Sequence, residues 1–443
     1  MADLSMEKVF SAVLAGTAII TTAIASPALA QDIRTLGMAG AAVSVGTGVG
    51  GALANPSLLM AAKRSKKKYH FRFGGAGELR DGADLLNEVD NNTDTLDNIE
   101  SEIDTLSAQT LTCNPLFDAP ETVCLTGTEG LGTETQKALN SFNNISGKPS
   151  DGRGGSALAF AVSHTRFPFM VSIGARATAA GVANISEGDK NYAETLIGAV
   201  DDNTLSVADI LDTASITFNS ANNSVDIDSP DDILDSNASG GALLRTSITF
   251  GMATTVAMGK RAVDIGVSPR LSQLRAGRIS SSLNDIRDDN FDISDEIKED
   301  EVSESSFTFD VGASVQPTDN PRLRIGSVIR NVVPESIETA SGYVFESTPQ
   351  LIVSGAYQLN RVLATADLAL NEAKDDNFES QPLSLGAEMT INWFSLRAGI
   401  HNDFAVENDP TSFSVGFGFG PVDMATRING SNVSGGLQIA FSL

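Results

Sequence analysis

The chain has 443 residues, a formal net charge of −26, 40 glycines, two cysteines, three histidines and one tryptophan. Its length fits one large β-barrel or two to three ordinary domains. The charge excludes a nucleic-acid binder that works through a bulk positive field. A mean hydropathy near zero does not fit disorder, and two cysteines are too few for a disulfide-built scaffold.

Val9 to Ile24 carries no charge and is followed by Ala28-Leu29-Ala30. Such a run ending in a small-x-small site reads as a secretory signal peptide cut after Ala30. Asp3, Glu7 and Lys8 leave the leading segment with little positive charge, and a start at Met6 gives a better-proportioned signal. No later run of 18 apolar residues occurs, so no transmembrane helix is expected. In a diderm bacterium such an exported chain can still enter the outer membrane as a barrel.

The remainder alternates between acidic, Asn/Ser-rich sequence and runs of about ten residues with strict apolar/polar alternation, which are strands with two unlike faces. Fourteen strands are expected, near 66–77, 152–163, 166–177, 243–257, 262–271, 305–316, 322–331, 349–359, 361–371, 381–391, 394–402, 411–420, 421–428 and 433–443. The joins alternate between long and short. Membrane barrels combine an even strand number with tight turns at one end and long loops at the other. A sandwich has no reason to lengthen every second join. Charge agrees: residues 78–151, 178–242 and 272–304 carry −12, −11 and −6, so the acidity lies in three loops expected outside the cell.

One strand face is apolar. The other holds Asp310, Arg324, Asp367, Glu388 and Arg397 among small and polar residues. In a barrel that face lines the lumen, and its mixed sign argues against a strongly selective ion pore. In the first long loop Leu85, Leu86, Val89, Leu96, Ile99, Ile103 and Leu106 recur at near-heptad spacing, which predicts an amphipathic helix or a helical hairpin over the barrel mouth. Residues 190–212 read as a second helical stretch. Cys113 and Cys124 lie in the same exported loop, where a disulfide is expected to staple it.

Two stretches resemble known outer-membrane families. Gly37-Met38-Ala39-Gly40-Ala41-Ala42, then Ala54-Asn55-Pro56-Ser57, is similar to the N-terminal segment of FadL-like outer-membrane proteins, with Ser57 where Ala is usual. In that superfamily the segment plugs a fourteen-stranded barrel. Further on, Arg324-Ile325-Gly326, Arg330-Asn331-Val332-Val333-Pro334, Thr348-Pro349-Gln350-Leu351, Ala364 to Leu368, Leu385 to Glu388, Leu396 to Gly399 and Gly436 to Leu443 resemble the outer-membrane family named after the conjugal transfer protein TraF, which is distinct from the thioredoxin-like protein of that name. The resemblance implies a plug at 31–62 (Gly37, Met38, Gly40, Asn55 and Pro56 among its motif residues). It implies a barrel over 63–443 with three loop insertions. It also implies an accessory or structural role in envelope transfer, with a passive channel for hydrophobic small molecules as the alternative. The implied partners are outer-membrane lipid and lipopolysaccharide, envelope-machinery proteins or an apolar small molecule, and no nucleic acid.

Other motifs carry less. Gly46-Thr47-Gly48-Val49-Gly50-Gly51 fits GxGxxG, but Asn55-Pro56 interrupts the helix and no acid follows at the dinucleotide spacing. Tight folding of small residues inside a barrel explains it better. The acids of 288–295 lack the glycine and terminal glutamate of a calcium loop. Lys63–Lys68 suits either anionic lipid heads or plain solvation. Trp393-Phe394 suits an interfacial anchor. No GxSxG or HExxH occurs, and His70, His164 and His401 lack a partner pattern, so no enzyme chemistry, metal or cofactor is expected.

Overall fold

The computed structural model describes residues 33–81, 129–191, 236–282 and 297–443, apart from single residues and short turns within them, together with the short segments 122–124, 193–194, 204–206, 216–219 and 224–227. Fourteen antiparallel strands close a barrel: β1 Tyr69–Asp81, β2 Pro149–Val162, β3 Phe169–Asn184, β4 Asn237–Met258, β5 Arg261–Ser282, β6 Val302–Val315 and β7 Leu323–Arg330. They continue as β8 Gln350–Leu359, β9 Val362–Ala369, β10 Pro382–Ile391, β11 Phe394–Asp403, β12 Ser412–Phe419, β13 Val422–Asn429 and β14 Asn432–Ser442. Each strand pairs with its sequence neighbours, and β1 closes on β14 from His70↔Ser442 to Leu79↔Val433. Beyond that ladder Leu443 accepts from the backbone of Lys68 at 2.7 Å and of Tyr69 at 3.1 Å, so the last residue still seals the seam.

Alternation sets the faces. Phe73, Leu158, Ile173, Leu271, Phe307, Phe417 and Ile439 point outward and are exposed, with Phe413 at 64%. Water does not tolerate so continuous an apolar outer band, whereas lipid does. At the short-turn end Trp393 packs edge-on against Phe419 at 4.2 Å, and Tyr69, Phe71, Phe160 and Phe441 form a second aromatic group. Both suit a girdle at the membrane interface. Turns at this end need positive φ, supplied by Asn360 (49°), Asn392 (56°) and Gly420 (58°).

β4 and β5 run 22 residues each. A tilted strand needs only about ten to cross a membrane, so roughly half of this hairpin stands beyond it. There Leu243, Leu274 and Ala276 meet Ile337 and Phe345 in a small apolar cluster. The latter two belong to a hairpin, Glu335–Glu338 with Val344–Ser347, folded from the β7–β8 loop.

Four sequence expectations need revision. The alternation ends β3 near 177, starts β4 near 243 and ends β5 near 271, whereas β3 runs to Asn184, β4 starts at Asn237 and β5 runs to Ser282. Within 190–212, expected to be helical, Lys190, Asn191, Ala193 and Glu194 are helical, whereas Thr204–Ser206 is a short strand paired with Thr122–Cys124. Three residues with β-branched Thr at one end gain more from the ladder than from a helix that short. The helix expected over residues 85–106, residue Cys113 and the acids of 288–295 lie outside the described residues. Cys124 is in the short strand, and its side chain is not described. A helix does stand in the first loop, Glu129–Ile145, burying Thr135, Leu139 and Ile145.

A closed barrel of this kind resists detergent. The purified protein should run faster unboiled than boiled on a denaturing gel; one band at the same position in both lanes would contradict the closed wall.

Candidate functional site: the plug and the chamber above it

The lumen is filled from the short-turn end by residues 33–64. They form α1 Ile33–Leu36, α2 Gly48–Ala54, a 3-10 turn at Pro56–Leu58 and α3 Leu59–Arg64. Local chemistry sets these bounds. Gly40, at φ 95°, ends α1 by donating to Thr35 O at 2.8 Å. Asn55 stops α2 in an extended conformation and caps the 3-10 turn, accepting from Ser57 N at 3.1 Å, with Pro56 at the first turn position. In the GxGxxG stretch Gly48 has φ 69°, and a methyl there would lie 2.8 Å from the His70 ring, so the glycines serve close packing.

Glycines on the wall seat the plug. A methyl at Gly386 would come within 2.5 Å of Met38 Cβ, and one at Gly399 within 2.6 Å of the Met38 carbonyl carbon. Gly416 stands against Gly37, with 2.9 Å from such a methyl to the Gly37 Cα. Gly266 and Gly312 face Pro56 and Asn55, and Gly436 faces Ile33, all too closely for any side chain. Between these contacts the plug buries apolar groups against the wall: Ile33 and Leu36 on Ala76 and Ala425, Val43 on Val328 and Ile352, and Leu59 and Met60 on Ala159 and Met170.

Polar clamps fix the seat. Asp367 accepts from the backbone N–H of Ala42 at 2.7 Å and of Val43 at 2.9 Å. Asn55 Nδ2 donates to Val43 O at 2.9 Å and lies within 3.4 Å of the Ala313 and Ser327 carbonyls of β6 and β7. Arg34 forks onto Glu388 at 2.6 and 2.7 Å, and Arg397 donates to the same carboxylate at 2.6 Å while reaching Asp423 at 2.6 Å. Gln438 accepts from Ile33 N and from Arg72, each at 2.9 Å. Arg64 pairs with Asp264 at the other side. Arg324 faces this pair from β7, on the inward side opposite exposed Ile325.

Above the plug is a chamber of about 210 Å³, floored by Leu53 and walled by β2 to β8. Two loop hairpins fold into the mouth over it. In one, Ala373–Asp375 pairs with Phe378–Ser380 around Asp376 (φ 55°) and Asn377 (φ 72°), a two-residue turn with both φ positive. Its tip places two carboxylates on wall arginines: Asp375 on Arg176 at 2.8 Å, and Asp376 on Arg176 at 3.1 Å and on Arg245 at 2.5 Å. The other hairpin presents Glu335 to Arg245 and to Arg270. Nearby Glu78 binds Arg153 and Arg427, each at 2.9 Å. Asp310 accepts from Asn331 N at 2.9 Å, where the chain turns from β7 into the cap.

Of the residues singled out from sequence, Gly37, Met38, Gly40, Asn55, Pro56, Asp367, Glu388 and Arg397 all lie at the plug–wall contact, with Arg324 at its edge. Asp310 belongs to the chamber instead. Sequence reasoning missed Arg34, the glycine seats and the arginines Arg153, Arg176, Arg245 and Arg270. The signal was present as glycine and arginine at inward positions of alternating strands, but its meaning depends on what fills the lumen.

Two outcomes follow. Asp367→Ala strands two buried N–H groups, at about 1–3 kcal/mol each. Trypsin should then cut at Arg34 or Lys63 in the unboiled protein well before it cuts the unaltered chain; equal resistance would contradict the clamp. Burial alone would raise the Glu335 carboxyl, but Arg245 and Arg270 outweigh it and hold it below the usual glutamate range. A depressed carboxyl stabilises at any pH above its unfolded value, and that contribution is lost only as pH falls through the lowered folded value. Hydrogen exchange of residues 335–347, corrected for intrinsic rate, should stay slow at pH 4.5 and quicken only below it. Deprotection that sets in above pH 4.5 would contradict the pairing.

Comparison with solved structures returns barrels across nearly the whole chain. The toluene transporter TodX of Pseudomonas putida shares 12% identity at a TM-score of 0.44, covering 92% of this chain and 97% of that one. The CymD monoaromatic hydrocarbon channel shares 11% at a TM-score of 0.31, covering 94% and 96%. The transport unit of the autotransporter AIDA-I from Escherichia coli shares 9% at a TM-score of 0.30, covering 85% and 91%. No curated protein matches. The family described as "F plasmid transfer operon, TraF, protein" matches residues 52–369, which run from the second plug helix to the end of β9, and the chain belongs to that family.

Proposed function

We propose that this chain works in the bacterial outer membrane as a closed, plugged barrel, an accessory or structural component of envelope transfer rather than an open pore. The observation that supports this reading best is the fit of the plug. It touches strands all round the wall through glycine seats and buried ion pairs, and the lumen left above it is charged and bridged by Asp375, Asp376 and Glu335. A wall without through-passage is suited to holding external loops in place for a partner. The three acid-rich loops give that surface a strong negative charge.

A second reading, a channel for apolar small molecules, draws on one feature. Pro269 has no N–H for the ladder, and between Thr249↔Arg270 and Met252↔Val267 the β4–β5 pairing lapses for two residues. Met170 and Ser268 flank Gly251 at this gap and also line the chamber, so the wall is weakest where the chamber touches it. The polar lining speaks against an apolar cargo.

Planar-bilayer recording and uptake separate the two. The accessory reading expects no steady conductance from the unaltered chain and no gain in toluene uptake by cells that express it. It also expects crosslinks to transfer-machinery proteins in a conjugating host, lost on deletion of residues 83–120 with heat-modifiable mobility kept. Toluene uptake that rises with expression and falls in Pro269→Val would overturn it in favour of the channel.

A further inference from the structure

Six basic residues line the chamber, and five of them hold carboxylates: Arg153 holds Glu78, Arg176 holds Asp375 and Asp376, Arg245 holds Asp376 and Glu335, Arg270 holds Glu335, and Lys374 holds Glu346. Arg176 and Arg245 stand directly opposite each other in the β3–β4 register. Like charges so placed repel, and a single carboxylate, Asp376, bridges them. Their remaining donors are not used up. Arg176 Nη2, Arg245 Nε, Arg270 Nε and Arg330 Nε are buried and meet no hydrogen-bond acceptor among the described residues. Arg176 and Arg245 are themselves 4% and 6% exposed. Ser268 Oγ, also on the chamber wall, is buried and unpartnered in the same sense. No carboxylate among the described residues lies within ion-pair distance of Arg330, because its neighbour Asp310 is turned to the Asn331 backbone. Buried donors of this kind nearly always have an acceptor, and the guanidinium fork matches a planar or tetrahedral oxyanion.

We propose that the chamber above the plug is a binding site for a small hydrophilic oxyanion, a phosphate or carboxylate group, held by the guanidinium of Arg330, which has no carboxylate partner among the described residues, with Arg176, Arg245 and Arg270 beside it on the wall. The tip of the 373–380 hairpin already shows how this wall takes carboxylates. The bound anion would be the counter-ion that Arg330 lacks among the described residues. A chamber of about 210 Å³ has room for such an ion with its water. Hydroxyls of Ser247, Thr249 and Thr348 on its wall suit a hydrophilic guest.

Isothermal titration of the detergent-purified full chain tests this with two probes, inorganic phosphate and acetate, at fixed ionic strength in sodium chloride. The expected result is saturable binding of at least one probe at one site per chain. It should weaken at least tenfold in Arg330→Gln and stay unchanged in Arg322→Gln, whose side chain is exposed at the short-turn end. Binding of phosphate alone assigns a phosphate-type ligand, and binding of acetate alone a carboxylate. Arg330 is chosen because it holds no ion pair of the cap, so its loss should spare the fold; unboiled gel mobility checks this. Should Arg330→Gln not fold, Arg330→Lys, which keeps the charge and loses the fork, is read in its place. Absence of saturable binding by either probe, or equal binding by the Arg330 variant, would overturn the site.

Discussion

The interior of this protein depends on one constraint: a chain segment with its own backbone polar groups must be held inside a barrel without leaving those groups unsatisfied. Asp367 meets two backbone N–H groups of the plug with one carboxylate. Asn55 joins plug carbonyl to wall carbonyl through one side-chain amide. Those bonds form only if the two backbones come close, and that closeness is what the glycines at 266, 312, 386, 399, 416 and 436 permit. A single methyl at several of these positions would lift the plug off its acceptors. Seat and clamp therefore work as a unit, and neither is worth much alone.

Charge is handled by the same logic further up. Arginines that face a barrel lumen cannot turn to bulk water when the cap is down, so each must find a carboxylate or keep a buried, uncompensated charge. The loops between β7 and β8 and between β9 and β10 supply Glu335, Asp375 and Asp376 for this purpose. Hairpins that look from outside like ordinary connections thus carry counter-ions for the wall, and the mouth closes because the arginines need it to. The apolar contact of Ile337 and Phe345 with Leu243 and Leu274 anchors one hairpin from the other side.

The wall was legible in the sequence because lipid outside and a polar lumen inside impose a strict period of two, which Phe413, Val415, Phe417 and Phe419 show plainly. It stopped being legible where the membrane stops. Asn237 to Ala242 of β4 and Ser272 to Ser282 of β5 face water on the outside, so the apolar half of the pattern disappears although the ladder continues. The plug motif was legible from its resemblance to a known family, and the inward charges from alternation. Their partners were not. Arg34 and Glu388 lie 354 positions apart, and Arg245 and Asp376 lie 131 apart. Such pairs exist only once the barrel has closed and the loops have turned back into it, and no local period encodes that.

The central claim is that residues 33–64 sit inside the closed wall with the seat described, and one crosslink tests it. A Cβ at Gly326 on β7 would lie 2.8 Å from Ser44 Oγ and 2.9 Å from Val43 O of the plug, so the pair reaches disulfide distance with a few tenths of an ångström of give at Val43. In a chain with Cys113 and Cys124 replaced by Ser, Ser44→Cys combined with Gly326→Cys should form an intramolecular disulfide during assembly. The protein should still show the fast unboiled band, and each single substitution alone should leave a free thiol. Failure of the pair to crosslink in a barrel that runs fast unboiled would contradict the seating of the plug on which the rest of the account stands.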